Sequence, residues 1–587
     1  MARTPRTRLG IAALVVALTA AACSTPVEVP EPPDDEHSVV EPAPEDAPAP
    51  GPRPTGVAYD LGDTTIVQER FPEDSPFRDL PVSLTGAIAA PDPAAGPAPV
   101  ILVLHGAHAV CRNAEGGMVD EWPCDPEREQ RNDLGLTWLV EELAAAGYVA
   151  LAINTNAENT FGFGEVDMGD RTRDLVDLHL TALAEAARAG SDDFGVDVSG
   201  ADLSRLGILG HSRGGSEAVR LLAGLGLDPD APGDRPYGPA SGLLLLAPGV
   251  MTAAVEDLAV PLGVLLPACD GDMSHQDGQV YFETLREGAA PRTWAVSFWL
   301  DGGTHNGFNT ALGPDMFAPE NRADCDTTLD EAAHHAALSG FATEFFGAVF
   351  AADPAARDGH LAALGLAATD PAPEGIRGAA GRVAALPAGA DTLSLLVPQG
   401  VEDVAAQIAA GAVTPDGVDL VGCDPRYLVE ADPLCRPMAL TVAGQPARAV
   451  VDWAAPGVVH LALPDPDLSG YAAFTLRAAV DPLSDANPEG EAQALALRLT
   501  DGAGNTATLA TRADEPALRY PLGAREANDW VAGGFGFTSP VFLTTVRIAL
   551  ADAAGVDLTD VRSVELVLDR PSGTLIVADL GFVAAGA

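Results

Sequence analysis

The chain has 587 residues, 84 of them Asp or Glu against 33 basic residues, for a formal net charge of −51; all the basic residues are arginine, none lysine. That balance argues against nucleic acid and anionic membrane surfaces as partners. The length suffices for two or three domains with full cores.

Residues 1–8 carry Arg3, Arg6 and Arg8, and an apolar run over 9–22 ends at Cys23. A basic start, a short apolar stretch and small residues before a cleavage point make a signal peptide, too short for a comfortable membrane span. The string Leu18-Thr-Ala-Ala-Ala-Cys23 resembles a bacterial lipoprotein signal. That resemblance implies a lipidated Cys23 and membrane contact only through the lipid; plain secretion with an unpaired Cys23 is the alternative. Residues 24–55, rich in Pro, Glu, Asp and Ala, have almost nothing to bury and read as a disordered tether.

Six cysteines remain: Cys111, Cys124, Cys269, Cys325, Cys423 and Cys435. An exported chain meets an oxidising compartment, so disulfides are expected over metal ligation. Proximity favours Cys111–Cys124 and Cys423–Cys435, leaving Cys269–Cys325 by elimination. No C-x-x-C or H-E-x-x-H pattern occurs, so no metal or other cofactor is expected.

Residues 56–352 alternate strand and helix. Apolar runs at 82–89, 99–104, 147–153, 242–247, 262–266 and 293–300 predict strands, and helical spacing marks 136–146, 170–188 and 329–350. Continuous apolar strands separated by helices predict an α/β domain with a mostly parallel sheet covered on both faces. The central stretch is 206–222. There an apolar strand breaks on Gly210-His-Ser-Arg-Gly214, and Ala218, Val219, Leu221 and Leu222 follow at helical spacing. Strand, G-x-S-x-G and helix form the setting of a nucleophile elbow, with Ser212 as the candidate nucleophile. A serine needs a histidine base, and that base needs a carboxylate to hold its tautomer.

Ligands bind such sheets at the carboxyl ends of the strands, and the candidates fall there. Asp270 and Asp272 follow the 262–266 strand, and His305 follows the last strand. Serine, acid, histidine is the triad order of the α/β-hydrolase fold. Asp272 is the preferred acid, because Gly271 offers a turn from which it could reach inward; Asp270 is the alternative. The oxyanion hole is assigned to the backbone N–H groups of Ala107, after His105-Gly106, and of Arg213. His211 reads as packing within the elbow. His108, His275, His334 and His335 read as surface or supporting residues, and Glu115, Asp120 and Glu121 as a solvated face.

The stretches Leu104-His-Gly-Ala, Gly147-Tyr-Val-Ala-Leu, Gly210-His-Ser-Arg-Gly-Gly215, Cys269-Asp-Gly-Asp272 and Gly303-Thr-His-Asn306, with the loop from Cys111 to Trp122-Pro-Cys124, resemble secreted bacterial α/β-hydrolases of the lipase, esterase and polyester-hydrolase group. The resemblance covers about half the chain. It implies cleavage of carboxylic esters through an acyl-enzyme, on a small-molecule, lipid or polymer substrate. The acid string of the polyester hydrolases, laid on Ala268–Asp272, favours Asp272. The aromatic residue those enzymes place after the oxyanion-strand glycine is Ala107 here, which departs from the polyester pattern. A peptidase or amidase with the same triad is the alternative within enzymes.

Residues 353–382 are rich in Ala, Pro and Gly and read as a linker, with a short helix near Leu361. Residues 383–587 alternate with a period of two between turn signals, which predicts an antiparallel β-sandwich. Its end, 546–582, resembles the jelly-roll modules of secreted carbohydrate-active enzymes, which implies a possible glycan contact. Trp453, Trp530 and Tyr520 are candidates for a sugar platform, with core packing as the alternative. A surface glycan-binding protein built on a hydrolase scaffold is therefore the competing function.

Overall fold

The structure, a computed structural model, describes residues 53–119, 121–160, 168–225, 227, 234–249, 258–273, 276, 278–287, 291–316, 325–424, 434–435, 447–521 and 541–584. The expected signal peptide, nearly all of the tether, and Cys23, Asp120, His275 and Trp530 lie outside the described residues.

The chain enters the main sheet at its edge. β1 (Val57–Val67) pairs antiparallel with β2 (Asp79–Ala89). β1 is largely exposed and shifts register between Asp60 and Asp63, a charged, irregular edge that discourages pairing with another chain. β3 (Ala98–Leu104) follows, then a two-stranded ribbon of β4 (Cys111–Arg112) and β5 (Met118–Val119) outside the sheet. α1 (Thr137–Ala145) leads into β6 (Val149–Ile153), and α2 (Asn156–Thr160) and α3 (Met168–Ala189) into β7 (Ala201–His211). α4 (Arg213–Gly224) follows directly, then β8 (Ala240–Leu246) and β9 (Leu262–Pro267). α5 (Gln279–Glu287), β10 (Ala295–Leu300) and α6 (Glu331–Phe350) complete the expected alternation.

β3, β6, β9 and β10 are buried along their whole length, as their unbroken apolar sequences require. Side chains alternate between two cores. Val100, Leu102 and Leu104 face the layer containing Leu175, Leu180 and Leu221, whereas Ile101 and Val103 face Leu139, Phe341 and Phe345. The strands from β6 to β10 run parallel, in the order β6-β3-β7-β8-β9-β10. The chain leaves β3 for β6 on one side and returns to β7 on the other. The order therefore reverses between β3 and β7, and open sheets of this kind bind ligands at the carboxyl ends beside such a switch point.

The stretch expected as a linker is structured. α7 (Pro354–Ala363), β11 (Gly375–Ile376) and β12 (Ala379–Leu386) occupy it, and β12 pairs antiparallel with β10 to extend the main sheet to ten strands. Its Ala and Gly residues carry no apolar periodicity, but main-chain bonding to β10 needs none.

Beyond it come β13 (Thr392–Leu396), α8 (Val401–Ala409), β14 (Val413–Asp416), β15 (Asp419–Cys423) and β16 (Arg448–Trp453). β17 (Gly457–Leu461), β18 (Tyr471–Val480), β19 (Ala496–Asp501) and β20 (Thr506–Ala510) follow. β21 (Thr544–Ala549), β22 (Val561–Leu568) and β23 (Gly573–Ala584) end the chain. They form two antiparallel sheets, β15-β16-β23-β18-β21 with β13 on β23, and β14-β17-β22-β19-β20, packed over one apolar core: a β-sandwich. Trp453 is 1% exposed in that core and donates Nε1–H to the Arg570 carbonyl at 2.9 Å, so it is packing rather than a sugar platform. Half-buried Tyr520 donates its hydroxyl to the Pro482 carbonyl at 2.9 Å.

Phe474, Leu476 and Ala478 of β18 face the sandwich core, which turns Arg477 to the other side of the sheet. There α5 covers it. Arg477 donates both Nη atoms to the Glu283 carboxylate at 2.8 Å and Nε to Asp579 at 2.6 Å; Arg286 donates Nε to Asp579 at 2.6 Å. A four-charge network, buried except for the partly exposed Asp579, thus fastens the sandwich to the α/β domain. Both belong to one compact unit, Arg53–Ala587.

Three disulfides, Cys111–Cys124, Cys269–Cys325 and Cys423–Cys435, match the pairings expected from the sequence and fit an extracellular protein. Among the described residues no helix is long and apolar enough to cross a membrane.

Candidate active site

β7 ends on His211, and Ser212 takes φ +55°, in the left-handed region that costs a residue with a Cβ about 1–3 kcal/mol. The turn is held by the Ser212 N–H bonded to the Leu246 carbonyl at 2.8 Å, and by the Gly215 and Gly249 N–H groups on the Ser212 carbonyl, each at 3.0 Å. Gly210 is required by space, because a Cβ there would lie 2.2 Å from the Gly214 carbonyl oxygen. α4 begins at Arg213, so its N-terminal dipole points at the serine. From β3, Gly106 comes so close that a Cβ would sit 2.6 Å from the Ser212 Cβ. Ser212, the expected nucleophile, therefore meets the loop beyond β3, where the expected oxyanion donor lies.

The expected base and its acid also meet, with one correction. His305 Nδ1 bonds Oδ2 of Asp270, not Asp272, at 2.9 Å, and both side chains are 1% exposed. The turn after β9 decides between them. Oδ1 of Asp270 accepts the N–H groups of Asp272 at 3.0 Å and Met273 at 2.5 Å, which folds the loop back and leaves Oδ2 for the histidine. Asp272 points elsewhere, accepting from the Met316 N–H at 2.5 Å and from Asn306 Nδ2 at 3.4 Å. A carboxylate only accepts, so Nδ1 of His305 carries the proton and Nε2 is the basic atom.

Sequence reading missed Asp315. Its carboxylate accepts from Gly271 N–H at 2.7 Å, His305 N–H at 2.8 Å and Asn306 N–H at 2.8 Å, tying the acid loop to the histidine loop. Nothing in Gly313-Pro-Asp-Met316 marks that role. His334 supports the same loop by accepting the Thr304 N–H at 2.9 Å, and His211 donates Nε2–H to the His305 carbonyl at 3.0 Å. Glu115 and Glu121 are exposed, as expected.

Three of the neighbouring rings lie together: His108 stacks on His211 with centroids 5.9 Å apart, and His211 lies tilted against His305 at 4.9 Å. Burial and the neighbouring histidines hold His211 well below its ordinary value and His108 down at about 3. Burial also pulls His305 down, but the carboxylates of Asp270, Asp272 and Asp315 outweigh it and leave its pKa above 6.5. Of these three rings, His305 alone is held basic. A base must be unprotonated to act, so kcat/KM is expected to fall with acid along a limb centred above pH 6.5. A limb at or below 6.5 in a pH–rate profile would contradict that.

Cys269 immediately precedes Asp270 and bridges to Cys325 across 56 residues. Cys269→Ser/Cys325→Ser is expected to cost about 2–4 kcal/mol of stability, read as a urea midpoint. It should also lower kcat at temperatures where the variant is folded, because the acid loop loses its anchor.

Ala107 follows Gly106 in the loop beyond β3, and Arg213 opens α4. The Arg213 side chain is buried and bonded, Nη2 to Glu158 Oε1 at 3.0 Å and Nη1 to the Asn159 carbonyl at 3.3 Å. Burial lifts the Glu158 carboxyl to about 7 against the pull of Arg213. Compared with known proteins, the chain matches no family and no curated protein.

Proposed function

We propose that the protein is an extracellular serine hydrolase of the α/β-hydrolase kind that cleaves carboxylic esters. Ser212 Oγ attacks the ester carbonyl while its proton passes to Nε2 of His305, and Asp270 holds the imidazolium that forms. The tetrahedral oxyanion is received by the N–H groups of Ala107 and Arg213 at the positive end of α4. His305 then gives its proton to the departing alkoxide as the carbon–oxygen bond breaks. Water repeats the sequence and releases the acid from Ser212. Export by residues 1–23 and anchoring at Cys23 belong to the same reading.

One observation carries it: the buried 2.9 Å bond between His305 Nδ1 and Asp270, at the end of the sheet where Ser212 stands on a left-handed turn. Serine, acid and histidine follow β7, β9 and β10, in the chain order that the hydrolase elbow motif leads one to expect. The reversal of strand order between β3 and β7 puts Ser212 beside Gly106. The direct test is turnover of p-nitrophenyl acetate and longer acyl esters by the whole protein, with mass mapping of a fluorophosphonate adduct. Turnover with the adduct on Ser212 is expected. An adduct without turnover would remove the ester assignment but keep the nucleophile; neither would remove the enzyme reading altogether.

A further inference from the structure

We infer that Asn159, on the short helix α2 beyond β6, is a positioning residue that sets the direction of the oxyanion-binding N–H of Ala107. The inference rests on the proposed role of Ala107 and adds the group that aims it.

The Gly106 carbonyl receives two hydrogen bonds, from His105 Nδ1 at 2.8 Å and from Asn159 Nδ2 at 3.1 Å. The tautomer of His105 is fixed by its other nitrogen. Nε2 accepts the Thr155 N–H at 2.9 Å, so Nδ1 must be the donor to Gly106. Burial drives this ring toward its neutral form, which keeps Nε2 an acceptor. Both lone pairs of the Gly106 oxygen are thus occupied. A trans peptide is planar, with N–H opposite C=O, so fixing the Gly106 carbonyl fixes the Ala107 N–H on the other side of the plane. Glycine itself supplies no such restraint, since it turns readily between conformations.

Asn159 is well placed to act. Its side chain is 5% exposed, and Nδ2 also donates to Thr155 Oγ1 at 2.9 Å, one helical turn earlier. A single amide nitrogen therefore bonds both the Gly106 carbonyl and the threonine that touches His105 Nε2 at 3.0 Å. The main-chain carbonyl of Asn159 accepts from Arg213 Nη1, and the preceding Glu158 accepts from Arg213 Nη2. The two residues thus grip the side chain whose own backbone N–H is the second oxyanion donor. α2 lies against both donors at once, and only the Gly106 contact passes through the Asn159 side chain.

Asn159→Ala and Asn159→Asp separate this role from packing, because both leave the carbonyl used by Arg213 in place. Asn159→Ala removes the donor. Asn159→Asp keeps the volume but sets an acceptor against the Gly106 oxygen. Outright loss of an oxyanion donor costs about 10²–10³ in kcat, so a misdirected one is expected to cost about 10–100-fold in Asn159→Ala and more in Asn159→Asp. KM should stay within about twofold, since the ground-state carbonyl makes less of the hole than the tetrahedral oxyanion. The readout that packing alone would not move is inhibition by phenylboronic acid, which forms a tetrahedral adduct on the serine. Its Ki should rise in step with the fall in kcat while the urea midpoint of folded variants stays near the parent's. Unchanged kcat and unchanged boronate Ki in either folded variant would overturn the inference. A parent protein with no ester turnover and no boronate binding would overturn the reading of the site, and this inference with it.

Discussion

Asp270→Asn is expected to lower kcat by about 10⁴-fold, whereas Asp272→Asn is expected to cost about tenfold or less. The difference follows from which carboxylate His305 faces. Asp270 Oδ2 lies 2.9 Å from Nδ1 of the histidine in a site closed to solvent, and it accepts the Nδ1 proton. An amide in its place can present an N–H to that nitrogen, which selects the other tautomer and puts the proton on Nε2, where the serine proton must go. The imidazolium that forms during attack also loses its partner. Asp270 additionally holds the Asp272 and Met273 N–H groups, but an amide oxygen still accepts those bonds, so the fold should survive. Asp272 contacts Met316 and Asn306 rather than the ring, and its charge reaches His305 only through space. Asp272→Asn should therefore move the acid limb of kcat/KM slightly to lower pH without abolishing turnover. Equal losses in the two variants, measured on one ester by steady-state kinetics, would reject Asp270 as the sole partner of the base.

The two aspartates also show where sequence reading stops. The elbow was legible because its requirements are local: a buried strand, glycines where a Cβ cannot fit, and a helix starting on the next residue. The parallel strands were legible because burial on both faces demands unbroken apolar runs. Choosing between Asp270 and Asp272 was not a local matter. Both lie in the right loop, and the choice is made by a turn that folds on the Asp270 side chain and by Asp315, which bonds Gly271 from 44 residues away. Asn156–Thr160 is polar, yet Asn156, Glu158 and Asn159 are buried because Gln130, Arg213 and Gly106 supply their bonds. Residues 379–382 read as linker because they are small, and 383–386 as sandwich, although β10 offers all of β12 a full row of main-chain partners in the main sheet. Periodicity marked 383–587 as sandwich and found six of its strands, but not β14 to β17 or β20, and it could not tell that Arg477, on the face away from the core, is covered by a helix of the other domain.

That coverage sets the second large effect. Arg477→Met is expected to destabilise the whole protein by about 3–5 kcal/mol. The substitution leaves Glu283 buried without its bidentate partner and Asp579 with Arg286 alone. A buried charge stripped of its partner costs far more than an exposed ion pair contributes, because water cannot reach it. Glu283→Leu/Arg477→Met removes both charges of the pair and should recover part of the loss, since a pair replaced by apolar groups of similar size leaves no unpaired charge. The pH dependence follows from Asp579. Burial alone would raise its pKa, but Arg286 and Arg477 outweigh burial and hold it below the usual carboxylate value of 3.8. A depressed carboxylate stabilises the folded state fully above its unfolded pKa and loses that contribution as pH falls through the folded one. The Arg477→Met penalty should therefore be complete at neutral pH and shrink below about pH 4. Urea midpoints at pH 7 and pH 3.5, with heat-capacity scans of parent and variants, would measure all of this. Because the network ties β18 and β23 to α5, the parent should unfold in one transition rather than as separate domains. Two transitions in the parent, with only the later stretch of the chain sensitive to Arg477, would mean that the sandwich stands on its own and that the ion pairs decorate the contact rather than maintain it.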